Sequence, residues 1–286
     1  MFQSLRLGRF AGVDLFVHST FWILPIIVLF SGVSAGATSL EIGIDIAFVA
    51  AVFGCIMLHE LGHALAARAY GIGTRDITLY HIGGVASLER MPEKPGQEIA
   101  IALAGPAVNF IIAAGLFAGL FASTVLIPWT ATADASVAEL FAAKVMWANI
   151  VLGAFNLLPC FPMDGGRVLR ALLATRLNRV RATEIATGVG TVVAGAFLVA
   201  GLYLPQYSLV LLAGVVWLLG QAELAGVRAQ AAAREARDRF TSWFEPEPGS
   251  SGPTGNAFTG LVWDETHRVW IQYQDGRIVR VIHPEN

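Results

Sequence analysis

Two histidines, His59 and His63, stand four residues apart, with Glu60 directly after the first, in the run His59-Glu60-Leu61-Gly62-His63. On a helix, residues four apart share a face, so both imidazoles can reach one ion. Neutral imidazole nitrogen binds Zn²⁺ at about 2.0–2.1 Å, and a carboxylate on the adjoining face can reach a water held by that ion. This is the H-E-x-x-H arrangement of metalloproteases, in which the glutamate is the general base. The run lies inside an apolar stretch, residues 44–67. In such a stretch each ionisable side chain is costly and functional by default. Cys55, one turn before His59, reads as a packed small hydrophobe.

A catalytic zinc site needs a third protein ligand and an open position. The candidate is Asp164, in the run Asn156-Leu157-Leu158-Pro159-Cys160-Phe161-Pro162-Met163-Asp164-Gly165-Gly166-Arg167. Its two prolines remove backbone donors and break the helix, and its glycine pair permits close backbone packing. Irregular backbone at membrane depth is tolerated only where protein or a water-filled cavity satisfies it. Asp164 is the acidic residue of that break. Asn156 could serve a reaction as an amide donor or simply hydrogen-bond the broken helix. Asn109, with Gly105-Pro106, reads as helix packing and polar glue. His81 reads as a loop histidine.

The elements that carry these residues follow from composition. Of 286 residues, 55% are hydrophobic and only 14% charged, with a mean hydropathy of +0.62. Average soluble chains carry about 25% charged residues, and a soluble globule this apolar could not cover its core. The net charge of −2 leaves no footprint for nucleic acid. Cys55 and Cys160, both in apolar runs, are no disulfide framework. A membrane span needs roughly 20 mainly apolar residues. Six stretches qualify: residues 16–34, 44–67, 99–125, 140–158, 185–204 and 207–222. The fold class expected is an all-α polytopic membrane protein of about six transmembrane helices.

Two β features accompany the helices. Residues 74–88 are rich in β-formers and too short to span, so they form a strand or hairpin at the inner membrane face. After a charged helix (225–240) and a linker rich in Pro, Gly and Ser (245–255), three β-prone runs at 258–263, 269–273 and 278–282 make a short C-terminal meander. Three strands are marginal alone, so the meander needs a partner. The expected division is a transmembrane domain over 1–228, a helix and linker over 229–256, and a small cytosolic β tail over 257–286.

Taken together, His59-Glu60-x-x-His63 and Asn156…Pro159…Asp164-Gly165 resemble the site-2 protease family of intramembrane zinc metalloproteases. Gly83-Gly84-Val85-Ala86 and Gly105-Pro106-x-x-Asn109 are further matches. The resemblance implies a six-span form from the cell membrane of a prokaryote, with one Zn²⁺ per chain held by His59, His63 and Asp164. It implies Glu60 as general base and Asn156 as a polar residue near the catalytic centre. Gly83, Gly84, Val85 and Ala86 would contact substrate, through edge-on pairing of an extended peptide with residues 74–88. Implied partners are the lipid bilayer and transmembrane proteins, usually membrane-tethered regulators; nucleic acid is not among them, and a homo-oligomer is compatible with the pattern. The short C-terminal tail does not fit the pattern of the paired nucleotide-binding modules of many six-span relatives, so those modules are not expected in it. A carrier or sensor of divalent metal is the rival from another class, but a carrier has no need of a general base beside its ligand.

Orientation follows from the positive-inside rule. With the N-terminus inside, eighteen of the nineteen Lys and Arg fall on the cytosolic side, Lys144 being the exception. A reporter fused after Asn286 should therefore report a cytosolic location, and one inserted near Ala133 an external one. The reverse labelling would overturn the span count or the orientation.

Overall fold

The computed structural model describes residues 4–80, 83–92, 94–122, 136–242, 259–264, 269–274 and 277–282. His81 and the linker 245–255 lie outside the described residues. The chain divides into two units, Met1–Val227 and Arg228–Asn286.

The first unit begins with a hairpin, β1 (Ser4–Phe10) and β2 (Val13–His18), then a 3-10 turn (Ser19–Trp22) and helix α1 (Ile23–Ser34). Helix α2 (Ser39–Ala69) follows. It opens on a capping box, in which Thr38 and Glu41 satisfy each other's backbone donors. It ends at Gly71, whose φ of +71° reverses the chain at little steric cost. Strands β3 (Thr74–Tyr80) and β4 (Gly83–Leu88) come next, then α3 (Pro95–Ala122), with proline at its first position. Helix α4 (Val137–Asn156) has a second capping box, Ser136 with Glu139. The short α5 (Asp164–Ala174), α6 (Arg179–Tyr203) and α7 (Tyr207–Ser242) complete the helices.

Among the described residues, five helices (α2, α3, α4, α6 and α7) are long and apolar enough to cross a membrane. The first expected span, 16–34, is not one of them. Residues up to His18 belong to β2, leaving an apolar helical stretch of Ser19–Ser34, shorter than 18 residues. Val13, Leu15 and Val17 alternate with polar or outward positions, and that period of two sets β2 in a sheet rather than a helix. The final span and the charged helix behind it are one continuous element, α7.

Residues 74–88 do form a hairpin, but it is half of a larger sheet. The order is β1-β2-β3-β4, with β2 parallel to β3 and the other pairs antiparallel. A parallel pair needs a long crossover, here supplied by α1 and α2. One face of the sheet packs on α2: Val13 and Ile77 meet Leu61 and Ala64, while Val17 and Leu79 meet Phe53. The sheet thus lies along the segment of α2 that carries His59, Glu60 and His63, with β4 an edge strand among the described residues.

The second unit contains a separate antiparallel meander, β5 (Gly260–Asp264), β6 (Val269–Gln274) and β7 (Arg277–Ile282).

Helix α5 is held by a buried charge knot. Arg170, 3% exposed, reaches Glu98 at the start of α3 (2.6–2.8 Å) and Glu223 of α7 (2.5 Å). Its guanidinium also lies 5.0 Å from the centre of the Phe161 ring. Arg179 approaches the other Glu98 oxygen at 3.7 Å. Removing one partner of such a pair strands a buried charge, at a cost of about 3–5 kcal/mol. Arg170→Met should therefore markedly lower the thermal unfolding midpoint in detergent. Adding Glu98→Gln should recover much of that loss.

Candidate metal centre

Three side chains from two helices converge on one point. His59 and His63 project from one face of α2, with ring centroids 4.7 Å apart and planes at 83°. Their Nε2 atoms are 3.0 Å apart and lie 3.2 and 3.1 Å from Asp164 Oδ2. All three residues are buried, at 4%, 5% and 6% exposure. In a tetrahedral zinc site with bonds of about 2.0–2.1 Å, neighbouring ligand atoms lie about 3.3–3.4 Å apart. The observed spacing is close to that.

Asp164 arrives there because α4 stops and α5 starts beside it. The break is closed by short backbone bonds, Cys160 N to Leu158 O (2.7 Å), Met163 N to Cys160 O (3.0 Å) and Gly166 N to Met163 O (3.0 Å). Gly165 rests on the carbonyls of Leu157 and Leu158. A side chain at Gly166 would come within 2.6–2.8 Å of the Cys160 and Phe161 backbone. Any larger pair would push the first turn of α5, and Asp164 with it, away from α2.

The donor set fits a divalent cation of the zinc type. His63 Nδ1 donates to the Ile101 carbonyl at 2.7 Å. A carbonyl only accepts, so the ring proton sits on Nδ1 and Nε2 keeps its lone pair. His59 Nε2 and Asp164 Oδ2 face this lone pair at 3.0 and 3.1 Å, so a cation between them would draw on all three donors. Gly105 of α3 forms the floor. A Cβ there would collide with the His63 ring and come within 2.6 Å of His59 Nε2. Gly62 plays the same part between helices, since a Cβ there would meet Val108 at 2.8 Å and the Ala104 carbonyl at 2.9 Å.

Glu60 is half-buried and lies against β4: a Cβ on Gly84 would be 2.6 Å from Glu60 Cγ and 3.3 Å from its Cδ. The edge strand's backbone therefore passes directly over this carboxylate. Gly83 and Gly84 are half-buried, Val85 is 53% exposed, and Ala86 packs on the cluster beneath the sheet. Asn156, the last residue of α4, is not among the converging groups; its Nδ2 donates to Leu152 O at 3.0 Å. Cys160 is fully buried, and its thiol points to Met163 Sδ at 3.7 Å rather than to the centre.

Asn109, expected from the sequence to serve helix packing, stands instead beside the centre, with Oδ1 2.5 Å from His59 Nδ1. Its Nδ2 contacts Asn149 of α4 at 2.9 Å, a residue that sequence reasoning missed. The available signal was the one that drew attention to His59: a polar side chain inside an apolar span needs a reason.

The chain matches the profile of peptidase family M50 over residues 47–138 and 121–199. A zinc metalloprotease of Methanocaldococcus jannaschii is 31% identical over 78% of this chain and 61% of its own length. Rip3 of Mycobacterium tuberculosis is 34% identical over 85% of this chain and 61% of its own length. The chain thus spans about three fifths of each of these relatives. The solved structure of the site-2 protease from M. jannaschii superposes with a TM-score of 0.57 at 30% identity, covering 78% of this chain and 95% of that one.

Alanine is a better helix former than glycine by about 1 kcal/mol, so Gly105→Ala should leave α3 intact while displacing both imidazoles. Elemental analysis of the purified variant should show most of the bound metal lost, with unchanged helical circular dichroism. Full metal content would mean that the floor under the rings can give way.

Proposed function

Because the chain belongs to peptidase family M50, the family of site-2 proteases, we propose that it is an intramembrane zinc endopeptidase that cleaves peptide bonds within or beside transmembrane segments of membrane-tethered regulatory proteins. The observation that supports this best is the convergence of His59, His63 and Asp164 beside Glu60 and beneath an open strand edge.

His59, His63 and Asp164 would hold one Zn²⁺, which supplies Lewis acidity, polarising a peptide carbonyl and making a water molecule more acidic. Glu60 takes the proton of the attacking water on its carboxylate and later delivers it to the leaving amine. Asn156 donates from its amide to the oxyanion that develops on the carbonyl carbon's oxygen, giving up its bond to Leu152 O. A helical substrate has its carbonyls already bonded, so it must unwind before hydrolysis. The free edge of β4, along Gly83, Gly84, Val85 and Ala86, offers backbone partners to the unwound strand and lays it across Glu60. The apolar helices suit a bilayer, and the shorter apolar stretch Ser19–Ser34 as a sixth crossing beside the five long helices puts both termini on the cytosolic side, in keeping with the Lys and Arg distribution.

The experiment is Glu60→Gln in detergent-purified full-length protein, incubated with a panel of single-span membrane proteins. Zinc content should match the wild type, and cleavage should fall by about 10²–10⁴-fold, the contribution of a general base. A chelator should silence the wild type, and added zinc should restore it. Unchanged cleavage in the variant would remove Glu60 from the mechanism. No cleavage by the wild type, with metal transport that survives Glu60→Gln, would favour a carrier.

A further inference from the structure

Asn109 and Asn149 are 0% and 1% exposed, yet neither provides an atom to the convergence point. An asparagine amide is nearly symmetric in shape and can present either its oxygen or its NH₂ to a neighbour. The two choices have opposite consequences for His59. If Asn109 presented its NH₂, the ring's Nδ1 would have to accept, the ring proton would sit on Nε2, and the lone pair facing Asp164 and His63 would be lost.

The far end of the contact chain removes this ambiguity. The Val145 carbonyl, one turn before Asn149 on α4, lies 2.9 Å from Asn149 Nδ2. A backbone carbonyl accepts only and cannot turn round, so it takes the NH₂ end of Asn149. Cys55 Sγ, at 3.2 Å, takes the same nitrogen's other hydrogen. Asn149 Oδ1 is then left facing Asn109, which must donate from Nδ2 at 2.9 Å. Asn109 Oδ1 consequently faces His59 and accepts from Nδ1 at 2.5 Å.

We propose that Asn109 and Asn149 are positioning residues of the metal centre: two buried amides that carry the polarity of the Val145 carbonyl across α4 and α3 to His59. They hold Nδ1 as a donor and aim the Nε2 lone pair at the ion. His63 reaches the same state directly, because its Nδ1 bonds a backbone carbonyl, Ile101 O. His59 faces no such carbonyl and obtains one at two removes. The inference rests on the metal site proposed above.

The test measures Zn²⁺ affinity of the detergent-purified full-length chain, stripped and then titrated against a chromophoric chelator. Loss of a group that orients a metal-bound histidine weakens metal binding by about 10–100-fold. Asn149→Leu should show a loss in this range, although Asn149 touches neither ligand nor ion. Asn109→Asp should bind zinc more tightly than Asn149→Leu, because a carboxylate accepts from Nδ1 whichever way it turns, although its other oxygen then faces Asn149 Oδ1. Adding Asn149→Leu to the Asn109→Asp variant removes that facing oxygen and should cost no further affinity. A loss of equal size in both backgrounds would mark a packing defect and overturn the relay, as would wild-type affinity in Asn149→Leu alone. Should Asn149→Leu not fold, Asn109→Leu against Asn109→Asp decides by itself: the relay requires weak binding in the first and tight binding in the second, and equal affinities reject it. A wild type that binds no zinc, behaving like His59→Ala, would overturn the metal site and the relay together, whereas normal wild-type binding with an unaffected Asn149→Leu overturns the relay only.

Discussion

Two imidazole nitrogens and a carboxylate oxygen meet within 3.2 Å in a place shielded from water. A cation, or a proton shared between a ring and the carboxylate, balances the charge there, and the arrangement depends on the groups that hold the three side chains from behind. Much of the helical unit can be read as that support. Ile101 O and Asn109 orient the two rings. Arg170, between Glu98 and Glu223, pins the helix that begins with Asp164. The proline-bounded break lets α4 end where α5 must begin.

Close approach is the second requirement, and glycine meets it at specific places. Gly105 lies under both rings, Gly62 lets α3 cross α2, and the Gly165–Gly166 pair seats α5 on the break. At each, a single added carbon would meet backbone or an anchored ring rather than the end of a flexible chain. These positions act through distance, not through backbone freedom. Gly84 belongs to the same set, since it brings the edge strand onto the stem of Glu60.

The sheet is anchored to the helix that carries this centre. β2 and β3 run parallel, so the chain must cross through α1 and α2 between them, and the face they share packs on α2 around Leu61 and Ala64. The edge strand β4 is thus referenced to the very helix that bears His59, Glu60 and His63. A peptide added to that edge would be placed by the same packing that places Glu60.

What the sequence determined by itself was local. The four-residue spacing of His59 and His63 sets a shared helix face, and Pro159, Pro162 and Gly165-Gly166 announce a break whatever surrounds them. Five long apolar runs are helices because nothing else satisfies their backbone in a bilayer, and Asp275-Gly276 separates two strands of the small meander. What only the tertiary structure decided was non-local. Residues 13–18 read as the start of a span because their apolarity suits helix and strand alike; pairing with β3, some sixty residues on, makes them a strand. Asn109 reads as packing, and Asn149 stands out in no motif, because an amide in a helix shows no direction. Their polarity is fixed by a carbonyl on one helix and used by a histidine on another, across 40 and 50 residues of sequence. Spacing encodes which face of a helix a side chain occupies, but the partner on the facing helix is set only once the helices have packed.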